Sequence, residues 1–496
     1  MSVDLNDNVL ARTVTHALVG LDARTVEVEA HLQNGIPGLA IVGLADRACQ
    51  EAKHRVRSGI SAAQLQWPSR RITVNLAPAG LRKEGSGFDL PIALAILAAS
   101  HQLPLHRLDG LAAIGELALD GRIRPVRGVL AAAEGARRGG FDRLVCAAES
   151  APEAALAGLE PIAARHLAEV VAYLRGQAEP PPFEPLTTTN GTLNRADELE
   201  LSEVRGQERA RRALELAAAG GHNLLLAGPP GTGKSMLARR LPGILPSLTA
   251  EEALEVTRIY SVAGLLTPGQ PFVRDRPFRM PHQSSSVAAI VGGGPGPRPG
   301  EATLAHHGVL FLDELPEFQR PALEALRQPL EDGLVSIARA EGRAVFPARF
   351  QLVAAMNMCP CGARGDPAAG CVCSVQKLAA FRQKLSRALL DRFDLVVAVP
   401  RPRAADFSGP GGEPSEAVRS RVVHAQERIR AGPLRRTSQA SVLLDRAVER
   451  LPLSGRGRMR VARVAATIAA LADADSVEEQ HVAEALAYRA PKELAA

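Results

Sequence analysis

The sequence predicts an α/β chain whose centre is a parallel sheet with helices on both faces, and three observations carry that expectation. A glycine-rich loop, Gly228-Pro-Pro-Gly-Thr-Gly-Lys-Ser235, lies between the apolar run Asn223-Leu-Leu-Leu-Ala227 and Met236-Leu-Ala-Arg-Arg-Leu241, an order that reads strand, loop, helix. A second apolar run, Gly308-Val-Leu-Phe-Leu312, ends in the carboxylates Asp313 and Glu314. Short uninterrupted apolar runs suit strands buried on both faces, as parallel strands are. The flanks differ in character: residues 1–175 mix the strand-like run Arg71-Ile-Thr-Val-Asn-Leu76 with Ala-rich helical stretches at 90–99 and 130–138, whereas 415–496 reads as helical throughout.

The loop has the pattern G-x-x-x-x-G-K-S. Its glycines free the backbone so that successive N–H groups can curl around a β-phosphate, and the helix that follows adds partial positive charge. On this reading Gly228, Pro229, Pro230, Gly231, Thr232, Gly233, Lys234, Ser235 and Met236 bind a nucleoside triphosphate. Lys234 reaches the β- and γ-phosphates, and Ser235 holds Mg²⁺. Asp313, at a strand's carboxyl end, joins Ser235 on the Mg²⁺, and Glu314 polarises the attacking water. An Asp-Glu pair by itself says little, but roughly 80 residues after such a loop it indicates hydrolysis. The expected cofactors are ATP and Mg²⁺.

At 496 residues the chain exceeds what one core holds, and about two to four domains are expected. A net charge of +6 permits a polyanionic partner, and an aromatic content of 3% disfavours a platform for stacking single-stranded bases, so nucleic acid would be gripped through its phosphates. No apolar run reaches the ~18 residues of a membrane helix. The first residues, Met1 to Asp7, carry acids and no basic stretch, so the chain is expected in the cytoplasm, away from membranes.

Composition divides the chain. Glu179-Pro-Pro-Pro-Phe-Glu-Pro185 and Thr187-Thr-Thr-Asn-Gly191 mark an extended linker over 176–200. The nucleotide motifs occupy 201–405, and Ser408-Gly-Pro-Gly-Gly-Glu-Pro414 separates them from the helical block 415–496. Four of the six cysteines fall in Cys359-Pro-Cys361 and Cys371-Val-Cys373. Four thiolates suit a tetrahedral structural Zn²⁺, with reduced free thiols and redox-active disulfides as the other two readings. Leu334-Val-Ser-Ile-Ala-Arg-Ala-Glu-Gly-Arg-Ala-Val-Phe346 alternates and turns at 340–343, a β-hairpin with Arg339 and Arg343 near its tip. His306 and His307, just before the Asp-Glu strand, read as structural residues rather than ligands.

With the motif pair in place, Asn357 after Phe350-Gln-Leu-Val-Ala-Ala-Met356 and the segment Leu389-Leu-Asp-Arg-Phe-Asp394 resemble an AAA+ ATPase. More narrowly, Arg82-Lys-Glu-Gly-Ser-Gly-Phe-Asp-Leu-Pro91, Gly292-Gly-Gly-Pro-Gly-Pro-Arg-Pro-Gly300, Ala305-His-His-Gly-Val-Leu-Phe-Leu-Asp-Glu-Leu-Pro316 and Asn357-Met-Cys-Pro-Cys-Gly362 resemble the bacterial magnesium-chelatase-like ComM/YifB family. The resemblance covers nearly the whole chain. It implies a hexameric ATPase that binds branched or forked DNA and drives branch migration in natural transformation. It also implies roles: Asn357 helps hold the attacking water, Arg392 is an arginine finger reaching a neighbouring subunit's γ-phosphate, and Arg456, with Arg460 as the alternative, acts as a second sensor. Arg339 and Arg343 would grip DNA phosphates in the ring's pore, with Arg298 in Gly292–Gly300 on a second pore loop. Three positions depart from the family pattern: Arg387 and Ala388 stand where Gly-Pro is usual, Arg387 adding a second arginine near Arg392, and Met358 stands where proline is usual.

Residues 1–175 resemble the Lon-protease-type domain of the ribosomal-protein-S5-like superfamily. Gly87 and Leu130 stand at its nucleophile and lysine positions and Ser86 is one step out of register, so no peptidase is expected and the domain would serve assembly or DNA contact. The block 415–496 would be the helical lid of the ATPase. The ATPase subunit of a magnesium chelatase and an ATP-dependent protein remodeller are the rival readings.

Overall fold

The computed structural model describes residues 9–179, 182–183, 199–267, 270–294, 297–339, 342–366, 368–403, 405–406, 411–451 and 454–489. Most of the expected linker, and the hairpin tip at 340–341, therefore lie outside the described residues. The chain is mixed α/β and contains two large sheets.

The first sheet has seven strands in the order Gly38–Val42, Arg71–Ala77, Asp22–Gln33, Val9–Val19, Leu111–Ala113, Arg143–Ala147, Glu160–Ala164. Val9–Val19 and Asp22–Gln33 form an antiparallel hairpin in which Val14 faces Glu27. Along its second strand Val26, Val28, Ala30 and Leu32 are buried while their neighbours are not, the period of two that points alternate side chains to one face. Helix Asp89–Ala99 packs on that face, and all its residues are buried. An apolar sequence with no polar stripe marks such a fully enclosed helix.

The second sheet has five strands, ordered Phe278–Arg279, Val309–Leu312, Gln351–Met356, Leu224–Ala227, Leu395–Ala398, and every neighbouring pair is parallel. Leu224, Leu226, Val309 and Phe311 belong to a core on one face, and Leu225, Leu310, Leu312 and Met356 to a core on the other. Gly308 opens the second of these strands against Pro277, whose carbonyl oxygen would lie 2.0 Å from any added Cβ.

The C-terminal helices Ser415–Ala431, Ser438–Arg450, Gly455–Leu471 and Glu479–Ala487 do not build a separate core. Val418, Val422, Ala465 and Ile468 share one cluster with Leu224 and Phe311, and Val396 N–H donates to Tyr488 O at 2.8 Å. The Gly/Pro-rich break before residue 415 separates these helices in sequence but leaves them packed against the sheet. Among the described residues, no helix is long and apolar enough to cross a membrane.

Phe311 is wholly buried and stacks on Phe278 with ring centroids 5.9 Å apart. Phe311→Ala is expected to destabilise the central sheet by about 3–5 kcal/mol, read as a lower urea midpoint. A loss below about 1 kcal/mol would contradict a close-packed Phe311.

Candidate nucleotide-binding site

The parallel arrangement puts the carboxyl ends of the neighbouring strands side by side, and the loop starting at Gly228 leaves this edge between the strands Gln351–Met356 and Leu395–Ala398. Gly228 N–H donates to Met356 O at 3.1 Å, and a Cβ at Gly228 would stand 2.2 Å from Val399 O, so only glycine passes between the neighbouring strands. Gly231 and Gly233 hold φ of 74° and 87°, and helix Lys234–Ala238 begins directly after them.

Six of the expected residues are joined by direct hydrogen bonds, in two groups. Lys234 is 8% exposed, and its Nζ donates to Gly228 O at 2.9 Å, Pro229 O at 2.7 Å and Asn357 Oδ1 at 3.3 Å. Burial pushes its pKa below the ordinary lysine value, while the carboxylates of Asp313 and Glu314 work in the opposite direction. Ser235 Oγ donates to Asp313 Oδ2 at 2.6 Å. Two ligands on adjacent vertices of an octahedral Mg²⁺ shell stand about 2.9 Å apart, so a few tenths of an ångström separate this pair from a chelating one, and these hard oxygen donors fit the ion.

Glu314 adopts φ 52°, ψ 50°, and its N–H donates to Asp313 Oδ1 at 3.0 Å. A left-handed glutamate is uncommon, and such conformations concentrate where function demands them. Pro230 to Met236, Asp313, Glu314, Met356 and Asn357 line a cavity of about 410 Å³. Gly228 and Pro229 stand behind it, holding Lys234 by their carbonyls. Met356 lines the cavity too, although a buried strand residue carries no sequence signal for that.

Arg392 and Arg456 do not line this cavity. Both converge on Glu331: Arg392 pairs with it directly, and Arg456 Nη1 lies 3.4 Å from Glu331 Oε1. Burial lowers the Arg392 pKa, with the charges of Arg456, Arg460 and Arg327 adding to that, and its Nε finds no acceptor among the described residues. Arg392 is 7% exposed, so a role toward a neighbouring subunit requires it to leave its own chain's Glu331. Nothing in the sequence singled out Glu331. Arg460 Nε lies 3.6 Å from Asp394 Oδ1, and Asp394 Oδ2 accepts from Asn223 N–H at 3.1 Å, at the start of the loop-bearing strand.

The cysteine cluster sits against the same pocket. A Cβ at Gly362, just after Cys361, would stand 2.9 Å from Pro230 Cδ. Cys359, Cys361, Cys371 and Cys373 hold their sulfurs within 4.8 Å of one another, with separations of 3.4 Å for Cys359–Cys361 and 3.7 Å for both Cys361–Cys371 and Cys359–Cys371. A Zn²⁺ bound at about 2.3 Å by four thiolates places its sulfurs about 3.8 Å apart, whereas a disulfide needs about 2.05 Å. The four thiols fit zinc.

Glu255, His306 and His307 also bring potential ligand atoms within 4.8 Å of one another. His306 Nδ1 accepts from Arg349 N–H at 3.0 Å, so in the neutral ring the proton is on Nε2, facing Glu255 Oε2 at 3.0 Å. Burial lowers the His306 pKa to about 4, which keeps the ring neutral. The trio is held together by its own hydrogen bonds.

In the first sheet's region, Ser86 donates to the Glu116 carboxylate and Lys83 Nζ to Pro78 O. Leu130 offers only its backbone N–H, to Glu153 Oε1 at 2.8 Å. The hairpin Leu334–Arg339 with Gly342–Pro347 forms, Arg339 pairing with Gly342, while the side chains of Arg339 and Arg343 lie outside the description. Arg298 is exposed in the short pairing of Arg298–Pro299 with Gly292–Gly293.

The parallel sheet and the glycine-rich loop at its edge give the chain the architecture of a P-loop protein of the AAA+ class. Family models match along the chain: "Magnesium chelatase, subunit ChlI" over residues 200–407, "Subunit ChlI of Mg-chelatase" over 28–150, and "Magnesium chelatase, subunit ChlI C-terminal" over 432–489. An uncharacterized protein of Mycobacterium tuberculosis is 46% identical over 97% of this chain and 98% of its own length. YifB of Escherichia coli is 42% identical over 96% of each chain, and the competence protein ComM of Haemophilus influenzae is 43% identical over 97% of each. The chain belongs to the magnesium-chelatase-like family of YifB and ComM.

Two outcomes check the site. Lys234→Ala removes the buried ammonium and is expected to weaken binding of a fluorescent ATP analogue at least tenfold, roughly the 1.4 kcal/mol that a charge-assisted contact supplies. Protein purified from zinc-supplemented cells is expected to carry about one Zn²⁺ per chain by elemental analysis and to lose it in Cys361→Ser/Cys371→Ser.

Proposed function

We propose that this protein is a DNA-stimulated ATPase working as a hexameric ring, and that it drives branch migration of recombining DNA taken up in natural transformation. The observation that carries the reading is the convergence of Lys234, Ser235, Asp313, Glu314 and Asn357 on one cavity. The full-length likeness to a relative named as a competence protein adds the biological direction.

In this reading Lys234 exchanges its loop carbonyls for the β- and γ-phosphates. Ser235 and Asp313 hold Mg²⁺, which supplies neutralisation of the phosphate charge when bound. Glu314 orients and polarises the attacking water, and Asn357, already within reach of Lys234, steadies that water near the γ-phosphate. Arg392, released from Glu331, would complete a neighbour's site, with Arg456 or Arg460 sensing the nucleotide from the C-terminal lid. Arg339, Arg343 and Arg298 would hold DNA phosphates, and the Lon-like N-terminal domain would contribute to assembly or DNA contact without cleaving peptides.

A second reading, the ATPase subunit of a magnesium chelatase, is favoured by the descriptions of the matching family models. The end-to-end relatives named YifB and ComM favour the first. Purified protein is assayed for ATP hydrolysis with and without forked or four-way-junction DNA, alongside Glu314→Gln. DNA is expected to raise turnover severalfold, and the variant to lose about 10²-fold or more while still binding nucleotide. Hydrolysis indifferent to every DNA would sink the DNA reading and favour a chelatase or protein partner.

A further inference from the structure

Helix Ala250–Ala263 is gripped from two sides. On one side it docks on the seven-stranded region. Ser261 Oγ donates to the Glu153 carboxylate, Gly128 N–H donates to Ser261 O at 3.0 Å, and Arg258 pairs with Glu134. Ser261 is 3% and Glu153 7% exposed, so this contact is buried, and Leu254 and Val262 pack into clusters that contain Leu130 and Ala131.

On the other side, the helix holds the two histidines that precede the Asp313-Glu314 strand. Glu255 Oε2 lies 3.0 Å from His306 Nε2 and 2.9 Å from His307 Nε2. His306 Nδ1 accepts from Arg349 N–H at 3.0 Å, and His307 N–H donates to Arg349 O at 2.7 Å. The same clasp therefore holds the start of Gln351–Met356, the strand that ends at Asn357. The two strands are paired in register from Val309 with Gln351 to Leu312 with Ala354, and both are buried. A close-packed strand cannot stretch, and a slip would break its ladder, so a displacement at its start reaches its end.

We propose that Glu255 is a positioning residue for ATP hydrolysis. Through His306 and His307 it sets where Asp313, Glu314 and Asn357 stand, and through its helix it makes that placement depend on how the seven-stranded region is docked. This rests on the ATPase reading above. Glu255 touches no reacting atom, and its side chain is half-exposed, so truncating it leaves no cavity in a core.

The test uses the full-length chain and measures kcat, KM for ATP, affinity for a non-hydrolysable ATP analogue, and melting temperature. The variants are Glu255→Ala, Glu255→Gln, Ser261→Ala and the double variant Glu255→Ala/Ser261→Ala. Glu255→Ala is expected to lower kcat about tenfold, with KM and analogue affinity within about twofold of the parent, the pattern of a misplaced catalytic group. Glu255→Gln, which keeps an acceptor for one histidine, recovers part of the loss. Ser261→Ala lowers kcat about threefold, and the double variant falls no further than Glu255→Ala, because coupled sites are not additive.

A kcat for Glu255→Ala within about twofold of the parent overturns the proposal. A fall in analogue affinity and melting temperature that parallels kcat overturns it as well, since that marks general support of the fold. Losses that multiply in the double variant overturn the dependence on docking. A parent chain that hydrolyses no ATP under any condition overturns the ATPase reading and this proposal with it, a result distinct from a parent that turns over while Glu255→Ala matches it.

Discussion

The candidate nucleotide pocket depends on one constraint: three neighbouring strands run parallel and are buried on both faces. Parallel pairing brings their carboxyl ends to one edge, so Gly228, Asp313 and Asn357 arrive together although they are far apart in sequence. Burial on both faces fixes the register, because a one-residue slip would exchange the side chains presented to the two cores. Chain crossovers at the edge of such a sheet leave a crevice, which is where ligands of open α/β folds bind.

Electrostatics within that frame is arranged around charges kept from water and partly satisfied. Lys234 is buried and tied to carbonyls that a phosphate can replace, and Asp313 and Glu314 counter part of its desolvation. Asp313 uses one carboxylate oxygen toward Ser235 and the other toward the Glu314 backbone, which orients both acids with a single side chain. Around Glu331 the balance reverses: Arg392 and Arg456 converge on one carboxylate, with Arg327 and Arg460 close enough to disfavour further positive charge. A buried guanidinium short of acceptors is costly, and an incoming anion would relieve that cost.

Much of this was legible in the chain. The strands expected at 223–227, 308–312 and 350–356 form at 224–227, 309–312 and 351–356, and the helices expected at 90–99 and 130–138 form at 89–99 and 129–138. Apolar runs of this length have one stable placement, between two layers, so their position follows from local composition. The four cysteines were grouped by spacing, and their sulfurs do lie together. The C-terminal helices were set apart by a Gly/Pro break, yet their apolar faces complete the core over the loop-bearing strand. A break in sequence reports chain flexibility, whereas core membership depends on which apolar faces need covering.

The glycine-rich loop, the Asp-Glu strand end and the cysteine group could all be read from the chain, because each needs particular residue types at short, fixed spacing. The partners separated by long stretches of chain come together only on folding. Asn357 accepts from Lys234, Glu331 holds Arg392 and Arg456, and Glu255 clasps His306 and His307 while its helix docks on the seven-stranded region. The physical reason is the same in each case. A lone glutamate or asparagine carries no periodicity or spacing of its own, and its role appears only when folding brings an unsatisfied donor within about 3 Å of it.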